Sequence, residues 1–395
     1  MDADWSPLYG LLEAEDLDGY LLDADGADAD QRYCSGFDAP DPFQTLVTAT
    51  SRQLLVSELE YGRARETVDG TVRRHSEYDY QSLRREYGPQ EARVRLIAAF
   101  LDDVGADAVA VPERFPVGTA DGLREHGVSV TVDTEDTVGA VRARKTPAEV
   151  EHVGAAQRAN EAAMATAESM LAAAQPEGDR LLLDGETLTS ERVKRAIEAT
   201  LLEHGCALDD TIVAAGAAGA DPHDRGSGPI PPDSPVVVDI FPRDKETRYH
   251  ADMTRTFLRG TPSPELERRY ALTEEALAAA TDAIEPGVTG EAVHDVVCDV
   301  YEDAGYPTLR SDPAATTGFI HGTGHGVGLE VHEAPRLSVG GGELEPGHVV
   351  TVEPGLYDPE VGGVRLEDLV VVTEDGHEVL TDYPLALKPS DRSAF

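Results

Sequence analysis

At 395 residues the chain exceeds the roughly 250 to 300 residues at which a single hydrophobic core stops growing, so two domains are expected. Apolar residues make up 41% of it, which suits a folded protein and excludes a largely disordered chain. Lysine and arginine number 33 against 75 aspartates and glutamates, a formal net charge of −42 that repels phosphate backbones and anionic lipids and argues against nucleic acid or a membrane as partner.

The acids are spread along the whole chain, as on a solvated surface, and salt would screen their repulsion, so a salt-rich cytoplasm is the expected setting. Cys34, Cys206 and Cys298 are too few and too scattered for a disulfide framework and are expected as buried thiols. The stretch Met1-Asp2-Ala3-Asp4-Trp5 lacks the basic and apolar regions of a secretory signal, and no run reaches the ~18 apolar residues of a membrane helix. A cytoplasmic location is expected.

From Leu8 to about Val132, apolar runs such as Gly19-Tyr20-Leu21-Leu22 and Ala108-Val109-Ala110-Val111 alternate with helix-like stretches such as Gln90 to Phe100, the pattern of an α/β domain. Its histidines, His75 and His126, read as ordinary surface residues. A boundary falls between Asp133 and Lys145, placing the domains at 1–140 and 141–395. Thr146-Pro147-Ala148-Glu149 then reads as a capped helix start. Val150, Val153, Ala156, Ala163 and Met170 give the helix that follows an apolar stripe.

Further helices are expected over Ser190 to His204, Pro264 to Ile284 and Thr289 to Ala304. Strands are expected over Pro235 to Phe241, Met253 to Leu258, His348 to Leu356 and Leu366 to Thr373. Val213 to Ala220 stands out only as a patch rich in alanine and glycine. Helices and strands that do not strictly alternate point to an α+β catalytic domain, with helices packed on a mainly antiparallel sheet.

Within these strands a few acids interrupt apolar sequence. Asp239 lies between Val236-Val237-Val238 and Ile240-Phe241, where a carboxylate is costly to bury without a cation or partner. Asp252 begins the next strand, so a hairpin would bring the two together, and like charges at close range need a shared proton or metal ions. Glu353 and Glu367 repeat the pattern. Between the pairs lies His321-Gly322-Thr323-Gly324-His325-Gly326-Val327-Gly328, then His332-Glu333, a glycine run that fits no dinucleotide or phosphate-loop spacing. Four carboxylates and a histidine suit two divalent ions, Mn²⁺ first, with Co²⁺, Fe²⁺ or Zn²⁺ as alternatives. Two ions ~3.5 to 4 Å apart are the machinery of many aminopeptidases, and hydrolysis is the natural reaction.

At these residues, over about Lys145 to the end, the sequence resembles the pita-bread metallopeptidase family, which comprises aminopeptidase P, prolidase and methionine aminopeptidase, with the metal-free creatinases. The resemblance is carried by Tyr249-His250-Ala251-Asp252-Met253-Thr254-Arg255-Thr256, His332-Glu333-Ala334-Pro335, Val352-Glu353-Pro354-Gly355 and Val364-Arg365-Leu366-Glu367-Asp368. It implies Asp239, Asp252, His325, Glu353 and Glu367 as ligands, with Asp252 and Glu367 bridging. Glu353 is also implied as the general base that orients a bridging hydroxide. His223 would lie near the leaving group, His332 would bind substrate and stabilise the tetrahedral intermediate, and His321 would be a further active-site histidine. Arg365 would hold carboxylates or substrate.

One departure is the step of thirteen residues from Asp239 to Asp252, two longer than the commonest family spacing; an even insertion at a hairpin tip keeps both acids on one face. Around Tyr33-Cys34-Ser35-Gly36-Phe37 the first half resembles the creatinase-type domain of aminopeptidase P and prolidase, which completes the substrate pocket across a homodimer. The resemblance thus implies cleavage of small peptides at Xaa-Pro bonds, by an Xaa-Pro aminopeptidase or dipeptidase. The alternatives are a metal-dependent hydrolase of a small cyclic or amide solute, resembling ectoine hydrolases, and a non-catalytic binding protein on the same scaffold.

Overall fold

The computed structural model describes residues 3–392, which form two compact units that divide between Arg142 and Ala143. In the first, a six-stranded mixed sheet runs in the order Thr71–Arg74, Arg52–Val56, Phe43–Val47, Gly19–Ala24, Ala108–Pro112, Ser129–Asp133. The last three strands are mutually parallel, as crossover helices require. The helix Pro89–Val104 buries Leu96, Ile97, Phe100 and Leu101, one stripe at helical spacing, against Leu21 and Val109 of the sheet. This unit is α/β.

The second unit opens with the helix Pro147–Ala173, where Thr146 accepts from the Glu149 amide at 3.3 Å and Glu149 accepts from the Thr146 amide at 2.7 Å. This reciprocal box satisfies two amides that a helix start leaves unpaired. A three-stranded antiparallel sheet orders Thr211–Ala215, Pro235–Ile240 and Met253–Leu258. A five-stranded one orders Glu333–Leu337, Gly324–Gly326, Val349–Val352, Asp368–Thr373 and Gly376–Val379, also antiparallel throughout. Val236, Val238 and Ile240 pack with Ala163, Met164 and Leu171 of the long helix. The helices Pro264–Asp282 and Gly290–Asp303 cover Val350, Val352, Leu366 and Val370. The unit is α+β with antiparallel sheets.

Three local differences from the sequence-based reading bear on the site. The patch from Val213 to Ala220 begins as strand: Thr211–Ala215 pairs with Val236–Ile240, and burial of Ile212, Val213 and Ala214 overrides the weak strand preference of alanine. The strand expected over His348 to Leu356 is broken at Glu353-Pro354, because Pro354 has no N–H for a ladder. The chain leaves the five-stranded sheet there and continues as Gly355–Asp358, paired with Gly362–Arg365. Across the same break, the strand expected from Leu366 begins at Asp368. Val352 faces Asp368 and Gly355 faces Arg365, so Glu353-Pro354 lies opposite Leu366-Glu367.

Candidate metal centre and active site

Alternation along Pro235–Ile240 sends Val236, Val238 and Ile240 into the core and Asp239 to the other face. Asp239 pairs with Thr254, and Asp252 lies two residues before Thr254, so both acids share that face. The two extra hairpin residues are absorbed at the tip: Asp244 accepts from the amides of Glu246 and Thr247, and Arg248 takes a left-handed φ of 72°. The tip pairs with Cys206–Ala207, away from the acids.

His325 sits on the short strand Gly324–Gly326, wedged between two others. A Cβ at Gly324 would collide with the Thr351 carbonyl, and one at Gly326 with that of Ala334, so only glycine admits these neighbours. The His325 amide donates to Thr351 Oγ1 at 3.0 Å. Its Nδ1 lies 3.2 Å from the Gly326 carbonyl, an acceptor that keeps the proton on Nδ1 when the ring is neutral and frees Nε2 for a cation. Nε2 lies 3.3 Å from Glu353 Oε1 and 3.8 Å from Asp252 Oδ2. Ligand atoms of Asp252, His325 and Glu367 all fall within 4.8 Å of one another.

Asp239, Asp252 and Glu367 are buried, and Glu353 is half-buried. Burial, then the neighbouring carboxylates, raises Asp252 and Glu367 well above the ordinary range, and burial also raises Asp239 despite Arg365. Glu353 is the exception. Burial pulls it upward, but a protonated His325, as hydrogen-bond partner and charge, together with the charges of a protonated His321 and of Arg365, outweighs this and holds it at about 2. Only part of the acids' demand for partners is met by protein. Thr254 donates to Glu367 Oε2 at 2.7 Å and Arg365 to Asp239 Oδ2 at 2.6 Å. Asp239 Oδ1 and Glu367 Oε1 are buried with no hydrogen-bond partner among the described residues. Orphaned carboxylate oxygens on Asp239 and Glu367, with the imidazole clustered with Glu367 and Asp252 but not with Asp239, fit hard divalent cations.

These groups lie at the floor of a cavity of about 840 Å³. His223 and His332, both exposed, line it, and the His332 ring is 4.3 Å from that of His325 between centroids. His321 Nε2 lies 2.8 Å from the Tyr357 hydroxyl, and burial lowers the ring to about 4, keeping it neutral. Arg365 also donates to Tyr357 Oη at 3.1 Å. Thus every candidate from the sequence borders one cavity, although Asp239 turns one oxygen to Arg365.

Sequence reasoning missed several lining residues. Behind the lining, Tyr357, which holds His321 and Arg365, lies one residue past the strand expected to end at Leu356. Phe241, Ile212, Arg225 and Arg336 carry no motif, and topology alone brings them to the cavity. Arg225 is paired with Asp210 at 2.6 Å, whereas Arg336 has no carboxylate partner among the described residues.

The model of metallopeptidase family M24 matches residues 151–374, which hold all five candidate ligands. The chain belongs to this family. Residues 6–144 match the creatinase/prolidase N-terminal domain. A curated Xaa-Pro dipeptidase of Pyrococcus horikoshii is 28% identical over 344 residues, 85% of each chain. An uncharacterized peptidase of Bacillus subtilis is 40% identical over 179 residues, 45% of this chain, so the chain spans about half the length of the first curated relatives it matches, here 48%. Among solved structures, the Xaa-Pro dipeptidase from Bacillus anthracis is similar at a TM-score of 0.79 and 26% identity, covering 97% of this chain and 98% of that one. The fold is accordingly the pita-bread α+β fold of prolidases with an N-terminal domain.

Proposed function

We propose that the protein cleaves small peptides at Xaa-Pro bonds, using two divalent ions, Mn²⁺ foremost, held by Asp239, Asp252, His325, Glu353 and Glu367. The observation that carries this reading is the pair of orphaned, buried carboxylate oxygens on Asp239 and Glu367 at the floor of a cavity large enough for a short peptide. Divalent cations bound there would polarise a scissile carbonyl and acidify water. Glu353, 3.3 Å from His325 Nε2, would take a proton from attacking water and return it to the leaving proline nitrogen. His332 and His223 line the cavity, and on this reading His332 would donate to the substrate carbonyl and His223 would hold the leaving group. Neutral His321, fixed by Tyr357, would bind substrate beside them. Arg365 positions Asp239.

Arg336 favours a dipeptidase over an aminopeptidase. A cation that lines the cavity without a carboxylate partner would pair with the free carboxylate of Xaa-Pro, which a longer peptide does not present at that point. We further propose a homodimer in a salt-rich cytoplasm.

The test is hydrolysis of Xaa-Pro dipeptides, Xaa-Pro-Xaa tripeptides and the matching Xaa-Ala peptides in high salt, with Mn²⁺ added or chelated. Metal-dependent cleavage of Xaa-Pro alone is expected. Preference for the tripeptides would overturn the dipeptidase reading, and no cleavage of any peptide would leave the hydrolase of a small amide solute.

A further inference from the structure

Arg255 leads the fully buried side chains in volume, at 1% exposure, on the strand that follows Asp252. A buried guanidinium is costly unless its N–H groups are taken up, and all five are. Nη1 donates to the carbonyls of Thr254 at 3.0 Å and Glu367 at 2.5 Å. Nη2 donates to Asp368 Oδ1 at 2.8 Å and to the Tyr383 carbonyl at 2.7 Å, and Nε to the Pro384 carbonyl at 3.3 Å. One donor therefore fixes the Glu367 carbonyl, one the Asp368 side chain beside it and one the Thr254 carbonyl, which also accepts from the Glu367 amide at 3.0 Å, while two fix the segment 381–392.

That segment is fastened in turn to the long helix. Glu168, 0% exposed, accepts from the Tyr383 hydroxyl at 2.5 Å, the Ser390 amide at 2.8 Å, the Ser390 hydroxyl at 2.9 Å and Arg392 Nε at 3.1 Å. Among the described residues, every hydrogen bond to this carboxylate comes from the segment. Glu161 accepts from the Asp382 amide, and Gln157 donates to Thr381, so positions 157, 161 and 168 form one stripe along the helix. The Thr381 hydroxyl also accepts from the Leu369 amide at 2.9 Å, two residues past Glu367.

We propose that segment 381–392 is a strap that sets the aim of Glu367, with Arg255 as the positioning residue, so that the affinity of the centre for divalent ions depends on docking of the strap at Glu168. The proposal rests on Glu367 being a metal ligand. Undocking the strap strands two donors of a buried cation, which then competes for the acceptors that hold Glu367 in place. Partners of this kind, outside the ligand set, typically govern metal affinity ~10- to 100-fold.

The experiment is Mn²⁺ titration by calorimetry, without substrate, on the full chain carrying Glu168→Gln or Tyr383→Phe. Glu168→Gln keeps the shape but turns one acceptor into a donor facing donors. Tyr383→Phe removes a single hydroxyl and carries the test if the first variant does not fold. Val193→Ala, a core change beneath the same helix, is the control for lost stability. Affinity ~10-fold weaker in Glu168→Gln, a smaller loss in Tyr383→Phe, and wild-type affinity in Val193→Ala are expected. Wild-type affinity in both strap variants, at temperatures where they are folded, would sink the strap alone. A wild type that binds no divalent ion would sink the metal reading together with it.

Discussion

Arg365 Nη2 lies 2.6 Å from Asp239 Oδ2, and the same guanidinium reaches Thr254 Oγ1 at 3.2 Å and Tyr357 Oη at 3.1 Å. One cation thus holds an orphan-bearing carboxylate, the hydroxyl that anchors Glu367, and the phenol that fixes His321. Lysine would keep the charge but not this planar fork. Arg365→Lys is expected to weaken Mn²⁺ binding ~10-fold or more and to regain turnover at excess Mn²⁺. Unchanged Mn²⁺ affinity with a raised KM would instead make Arg365 a substrate contact.

Glu353→Gln removes the one carboxylate of the cluster held low by its surroundings while preserving its shape. Turnover of Xaa-Pro dipeptides should fall ~10²- to 10⁴-fold, the usual worth of a general base. Retention of even a tenth of the wild-type kcat would remove Glu353 from that role.

Much of the floor of the site was legible because its cost shows locally. Asp239 stands among valines and isoleucine, and an acid there demands a partner. His325 lies in a glycine run that only close packing explains, and Gly324 and Gly326 prove to be in such contact. The walls were not legible. Arg336 reaches the cavity through the pairing of Glu333–Leu337 with Gly324–Gly326, which no local pattern announces. Nor does any pattern couple Arg255 to Glu367, 112 residues away, or Glu168 to Ser390, 222 away. Glu353 and Glu367 were read as strand residues, and the break at Pro354 that sets them opposite each other was signalled only by the proline.

If Arg336 takes the substrate carboxylate, truncating it should be felt by short substrates alone. A charge-assisted hydrogen bond is worth about 1.5 to 3 kcal/mol, so Arg336→Ala should raise KM for Xaa-Pro dipeptides ~10- to 100-fold. Hydrolysis of Xaa-Pro-Xaa tripeptides should change little. Equal losses on both would make Arg336 a general structural cation of the wall.

A formal charge of −42 predicts a stability that rises with salt. Between 0.1 M and 1 M the Debye length shrinks from ~10 Å to ~3 Å, so repulsion across the surface is largely removed. The melting temperature should climb by several degrees from 0.1 M to 2 M KCl. A flat profile would mean that the surface acids are already neutralised by their own ion pairs.

His348, 6% exposed, accepts from the Glu345 amide at Nδ1, 3.0 Å away, and so is held in its neutral form. Burial, then the charges of Lys145 and Arg144, lowers it from 6.5 to about 4. Because the folded value is the lower one, the unfolded chain takes up the proton first as pH falls. The stabilisation is therefore complete above pH ~6.5, lost progressively between ~6.5 and about 4, and constant below. Between pH 7.5 and 5 this single group should remove ~2 kcal/mol. His348→Gln can still accept from the amide but cannot titrate. Urea unfolding of both proteins at the two pH values should show the wild type losing ~2 kcal/mol more than the variant over that interval. Parallel losses would place the acid sensitivity of the C-terminal unit in other groups.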